Sequence, residues 1–236
     1  MPADPGDAAP ESVVAATFVP RTSNRERYLL NRRGYGSHQA ILDLVQPDSK
    51  ILDVGAGTGN LARELRSRHR AQVIGVEYDH DAAAEMGAKG FEVIRGDITA
   101  ATTLAEIHDR APFDVAIFGD VLEHLADPQR TLIALKPMLK PGGTIVVSLP
   151  NVVSIRARLS ILGGRFDYAE TGIFDRTHLR YFTPRTARQL LVDSGFNITD
   201  VIPVGPVTSR LGRRGIGISR ISPGLLATQL VFRASA

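Results

Sequence analysis

The sequence predicts an α/β fold: a doubly wound, mostly parallel sheet with helices on both faces. Three observations predict it. Between residues 50 and 150, short apolar runs rich in Val and Ile alternate with amphipathic segments, the pattern of strands joined by crossover helices. Glycines fall at every second position, Gly55, Gly57 and Gly59, directly after the first of those runs. The chain has 236 residues, 43% of them hydrophobic, which suits one domain with a sizeable core. Right-handed crossovers wind such a sheet in both directions from its centre.

Taken in order, residues 1–20 are rich in Pro, Ala and Asp without periodicity and are expected to form a disordered tail, leaving 21–236 as a single domain. Residues 21–46 look helical, with a break near Gly34 and Gly36 and an apolar face of Ile41, Leu42 and Val45. Strands are expected at 50–54, 72–77, 91–94, 113–118 and 143–149, with helices at 58–69, 80–88, 101–109 and 128–138. After Pro150 the alternation stops. Residues 151–182 interleave arginines with aromatics (Arg165, Phe166, Tyr168, Phe174, Arg176, Arg180, Tyr181, Phe182), and a connection this long inside a compact domain reads as a lid. Thr183 and Pro184 open a helix over 184–194 that Gly195 ends. Residues 196–203 and 227–233 bring the strands to seven, and 204–226, with Gly, Pro, Ser and four arginines, is expected to be a mobile loop.

Composition narrows the function. There is no cysteine, hence no disulfide framework and no thiolate metal site. No uncharged apolar run approaches the roughly 18 residues of a membrane span, and Asp4, Asp7 and Glu11 stand where a signal peptide carries positive charge, so a cytoplasmic location is expected. The net charge of +3 is unevenly spread: residues 43–140 carry 11 basic and 16 acidic side chains, residues 141–236 carry 12 basic, all arginine, and 5 acidic. The plain reading is a solvated surface; the functional one is a basic rim for an anionic acceptor such as a sugar phosphate, a carboxylate or RNA.

Residues 51–62, ILDVGAGTGNLA, read as a buried strand, a glycine turn and the start of a helix. Glycines let the backbone turn sharply and approach a ligand, and the helix that follows aims free N–H groups at it. The dinucleotide fingerprint needs a glycine where Asn60 stands, and the phosphate-binding P-loop pattern is absent. What stands here, D-x-G-x-G-x-G from Asp53 to Gly59, resembles motif I of the class I S-adenosylmethionine (SAM) methyltransferases. The resemblance implies a Rossmann-like seven-stranded sheet with an antiparallel pair at one edge, SAM as cofactor, and Asp53, Gly55, Gly57 and Gly59 around it.

Further motifs follow at the distances this family has. Glu77 ends the second strand, 22 residues after Gly55, where a carboxylate can accept from both ribose hydroxyls; Asp79 is the alternative. Asp97 and Ile98 follow the third strand and match the family's adenine contacts. After the fourth strand, Asp120 to Pro128 resembles the D/E-x-x-E-H run of the ubiquinone-pathway O-methyltransferases, and the resemblance puts Asp120 beside the cofactor. If 120–125 is a helical turn, Asp120, Glu123 and His124 share one face. A second histidine, His178, comes from the run over 172–183, which resembles bacterial small-molecule and sugar methyltransferases.

These readings imply a methyltransferase acting on a hydroxyl of a small-molecule or sugar-type metabolite. SAM supplies an electrophilic methyl, and a histidine, His178 first and His124 second, removes the acceptor's proton. Two alternatives stand beside it. The layout also resembles metal-dependent RNA 2′-O-methyltransferases, in which Asp120, Glu123, His124 and His178 would hold Mg²⁺ or Mn²⁺, with aspartate in place of the family's first glutamate. The other is a SAM-binding module without transfer activity.

Overall fold

The computed structural model describes residues 35–236, so the expected tail over 1–20 and the helical residues Tyr28, Asn31 and Arg32 lie outside the described residues. After a short α1 (Ser37–Leu44), strands β1 (Lys50–Val54), β2 (Gln72–Glu77), β3 (Glu92–Arg95), β4 (Phe113–Gly119) and β5 (Leu139–Pro150) alternate with helices α2 (Asn60–His69), α3 (His80–Ala88), α4 (Ala101–His108) and α5 (Pro128–Leu135). Then come α6 (Ile155–Leu162), α7 (Pro184–Asp193), β6 (Asn197–Val204), α8 (Pro206–Leu211), α9 (Arg214–Ile221), α10 (Pro223–Leu226) and β7 (Gln229–Ser235).

The seven strands form one sheet in the order β3-β2-β1-β4-β5-β7-β6. The first five are parallel, and β7 runs antiparallel between β5 and β6, which is the expected antiparallel pair at that edge. The chain winds one way from β1 to β3 and the other from β4 onward. The switch point, where ligands bind in open α/β sheets, therefore lies between the carboxyl ends of β1 and β4.

Strand side chains alternate between two apolar layers. Ile51, Val73, Val115, Ile117 and Val146 pack on one face with Ile41, Leu65 and Met86 of α1, α2 and α3. Leu52, Val54, Ile74, Val76, Ala116 and Val147 pack on the other with Ile107, Leu132 and Leu191 of α4, α5 and α7. This period of two, buried on both faces, is why the strands read as continuous apolar runs.

One expectation of the chain's shape is corrected. Residues 204–226 are not an irregular loop: they hold α8, α9 and α10. The prolines that looked like breakers, Pro206 and Pro223, stand in first helical turns, where a missing N–H costs nothing. Within 151–182, α6 buries only Ala157, and its Leu159 and Leu162 are 60% and 82% exposed. Asn151, wholly buried, ties this segment to α10: its Nδ2 donates to the Ala227 carbonyl at 2.7 Å, with the Pro223 and Gly224 carbonyls at 3.3 Å. No helix among the described residues is long and apolar enough to cross a membrane.

Candidate active site

The glycine loop joins β1 to α2 at the switch point. Gly55, Gly57 and Gly59 have φ of 71°, 54° and 77°, the left-handed region. A Cβ on Gly55 would also stand 2.6 Å from Val121 Cγ2. Beneath the loop lie two buried carboxyl groups, Asp53 and Glu77, each 2% exposed. Glu77 accepts from the Gly57 N–H at 2.7 Å and the Asp79 N–H at 2.9 Å, and burial still holds its pKa above the usual carboxylate value. Asp53 Oδ2 has no hydrogen-bond partner, and burial together with the Glu77 charge pushes the Asp53 pKa up to about 7. An orphaned buried carboxyl oxygen beside the glycine loop suits the cationic aminoacyl end of SAM. Asp79 is committed elsewhere: its side chain caps α3 by accepting from Asp81 and Ala82 N–H. At the end of β3, Asp97 is exposed and its Oδ1 accepts from the Thr99 N–H and hydroxyl, both at 2.8 Å, while Ile98 is buried.

Across the switch point, a 3-10 turn over Leu122–His124 follows β4. The segment 175–180 is clamped to it: Leu179 and Arg180 N–H donate to the Glu123 carbonyl at 2.8 and 3.0 Å, and Arg180 Nε donates to the Ala126 carbonyl at 3.1 Å. This clamp brings His178 to Glu123 and His124 from 54 residues later in the chain. One ligand atom from each of the three lies within 4.8 Å of the others. His178 Nε2 is 4.0 Å from Glu123 Oε1, and the two imidazoles meet edge to face at 4.9 Å between centroids. Glu123 is 1% exposed, its Oε2 has no partner, and burial, then the Asp120 charge, hold its carboxyl well above the usual range. Such a carboxyl favours a cation beside it. An aromatic wall, Phe166, Phe174 and Tyr181, adjoins His178.

Asp120 does not join that group. The expected face of Asp120, Glu123 and His124 requires one helical turn through all three, but Asp120 takes φ of 58° and the 3-10 turn begins after it. Its Oδ1 accepts from the Ser148 hydroxyl at 3.0 Å and from Gln229 Nε2, over the ends of β5 and β7. Ser148 and Gln229, which bond to Asp120, and Asp175 and Thr177, which stand against His124, were not singled out as candidates from the sequence. Only the D-x-T spacing of Asp175 and Thr177, a turn signal, pointed to any of them.

The sequence model of a family described as "Methyltransferase domain" matches residues 24–201. The chain belongs to this methyltransferase family. It is a SAM-dependent methyltransferase. Among curated relatives, the ubiquinone biosynthesis O-methyltransferase of Psychrobacter arcticus is 28% identical over 186 residues, covering 75% of this methyltransferase and 72% of that protein. The protein of the same name from Dinoroseobacter shibae is 29% identical over 206 residues, covering 80% and 81%. A solved SAM-dependent methyltransferase from Thermotoga maritima, described as a possible histamine N-methyltransferase, has a TM-score of 0.64 over 90% of this chain and 94% of its own. At 21% identity that likeness shows the fold. The fold serves more than one acceptor atom, so the acceptor must be argued from the site.

Proposed function

We propose that this methyltransferase moves the methyl group of SAM to a hydroxyl group of a small-molecule acceptor. The observation that carries the reading is the Glu123–His124–His178 group, a buried carboxyl with two partly buried imidazoles, at the end of β4, across the switch point from the glycine loop. The relatives named O-methyltransferases support it. The acceptor would lie between that group and residues 151–182, with the aromatic wall against its body and the arginine-rich half of the chain favouring an anionic one. Of this segment, α6 is the part held least, with only Ala157 buried between the anchored ends at Asn151 and 175–180, which suits a lid helix that settles on the acceptor.

Methyl transfer from a sulfonium needs the nucleophile in line and ~3–3.5 Å away, and positioning of that kind supplies ~7–11 kcal/mol. A hydroxyl must also lose its proton. His178 and His124 are the groups placed to take it, and the Glu123 carboxylate 4.0 Å from His178 Nε2 would stabilise the imidazolium formed. A second reading rests on the same atoms. Three converging ligand atoms, an orphaned carboxylate oxygen and imidazoles whose Nδ1 atoms face carbonyls fit a divalent cation held by Glu123, His124 and His178, without Asp120. Such an ion would lower the pKa of the acceptor hydroxyl.

Formation of S-adenosylhomocysteine on panels of hydroxylated small molecules, amines and RNA tests the assignment. Turnover is expected with a hydroxyl acceptor, and His178→Ala should lower it by ~10²–10⁴-fold with little change in SAM affinity. Loss of activity with chelator and recovery with Mg²⁺ or Mn²⁺ selects the metal reading. Full turnover by a chain carrying both His124→Ala and His178→Ala would overturn both.

A further inference from the structure

Behind His124 stands a second layer of polar groups that the methyl-transfer chemistry above does not use. Asp175 is buried, 6% exposed, in the segment clamped to the 3-10 turn. Its Oδ1 accepts from the Thr177 N–H at 2.9 Å and from the Thr177 hydroxyl at 2.6 Å. The hydroxyl hydrogen is thereby committed to a carboxylate, the shorter and stronger kind of bond. Thr177 Oγ1 then presents only lone pairs to His124 Nδ1, 3.1 Å away. The second neighbour of the same Nδ1, the Thr177 carbonyl, also at 3.1 Å, is an acceptor too. With two acceptors 3.1 Å from it, Nδ1 carries the hydrogen, and the lone pair of neutral His124 is on Nε2.

His178 is held in the same sense but by less. Its Nδ1 lies 3.2 Å from the Ile173 carbonyl, a single backbone acceptor where His124 meets both a carbonyl and a carboxylate-bound hydroxyl. The two histidines of the site are thus set in one tautomer by two unequal devices.

We propose that Asp175 and Thr177 are positioning residues: a carboxylate–hydroxyl–imidazole chain that fixes the tautomer and ring orientation of His124, so that Nε2 is the atom offered to the acceptor hydroxyl. The assignment rests on the Glu123–His124–His178 group being the reaction centre. Thr177 serves twice, since its hydroxyl and its carbonyl both address Nδ1, so an isosteric Val at this position removes one acceptor while leaving the other. Partners of this kind behind a functional imidazole change affinity or activity by ~10–100-fold when removed.

The test has a part that needs no acceptor. Long-range ¹H–¹⁵N correlation of the histidine rings, above the titration range of histidine, should show His124 with hydrogen on Nδ1 in the native chain. In Thr177→Val the Nε2–H form should become populated, and Thr177→Ser should restore the native signal. Turnover, measured with whichever hydroxyl acceptor yields S-adenosylhomocysteine, should fall ~10–100-fold in Thr177→Val and in Asp175→Asn and recover in Thr177→Ser, with SAM affinity unchanged. A native His124 with hydrogen on Nε2 overturns the proposal, as does a Thr177→Val chain with native ring signals and native turnover. If His124→Ala and His178→Ala are silent, the reaction-centre reading fails and takes the chain with it. If those two lose activity while Thr177→Val and Asp175→Asn do not, the positioning role alone fails. Thermal melting of each variant separates loss of fold from loss of function, and the native-chain spectrum decides even where a variant does not fold.

Discussion

A carboxyl group that is 2% exposed, with one oxygen lacking a partner, costs the folded chain stability until something positive sits against it, and Asp53 is such a group. Its pKa rises from 3.8 to about 7 because burial and the Glu77 charge disfavour the anion. In the ligand-free chain the folded state therefore holds a proton that the unfolded state has lost. Stability from this group falls as pH rises from 3.8 through about 7. A cationic ligand reverses the preference, since it binds the ionised form. SAM affinity is expected to weaken as pH falls below about 7, with proton release on binding near that pH, and Asp53→Asn should abolish both the pH dependence and the proton release. Calorimetry in two buffers of different ionisation enthalpy checks this; a native affinity flat from pH 6 to 8 would place Asp53 away from the cation. At this scale the sequence told much about identity and less about use. Asp53, Glu77 and the three glycines stood out because backbone demands select residue types. The contact of Thr177 with His124 and the ties of Asn151 to α10 did not, because hydrogen bonds between residues far apart in the chain leave no local pattern. The D-x-T spacing of Asp175 and Thr177 marked a turn but not what it packs against.

At the scale of elements, the loop after β1 and the 3-10 turn after β4 are packed as one piece. Val121 precedes the turn, and its Cγ2 occupies the place a side chain on Gly55 would need. Gly55→Ala is expected to cost ~1–2 kcal/mol from the left-handed backbone alone, beyond the clash. Adding Val121→Ala should recover the steric part and not the backbone part. Denaturant unfolding of the single and double variants measures both, and a Gly55→Ala chain as stable as the native one would show that the loop relaxes freely. The core strands and helices were legible because alternation and amphipathic spacing repeat over many residues. The 3-10 turn was not: over three residues a 3.0 and a 3.6 period cannot be told apart, and nothing in the sequence marks Asp120 as left-handed. Helices α8 and α10 were hidden by their prolines, whose meaning depends on whether they open a helix or interrupt one, and α9 by its two glycines.

Over the whole molecule, charge divides between the two stretches of the chain on either side of residue 140. The stretch that carries β1 to β4 is acidic in balance, and the stretch after Gly142, which supplies α6, the aromatic wall and α8 to α10, is arginine-rich. The expected outcome is a division of salt sensitivity: KM for an anionic acceptor should rise with ionic strength as the arginine field is screened, while the dissociation constant of SAM, set in a buried cradle, should move little. Steady-state assays across a salt series check this, and an acceptor KM indifferent to salt would make the arginines ordinary surface. The asymmetry was legible from composition alone. The sheet order has one more consequence. β7, the seventh strand in sequence, is an interior strand in space, paired through seven residues with β5 on one side and through seven with β6 on the other. During synthesis the facing edges of β5 and β6 therefore stay unpaired until residues 229–235 emerge, so this side of the sheet zips shut only once a strand distant in sequence arrives between them.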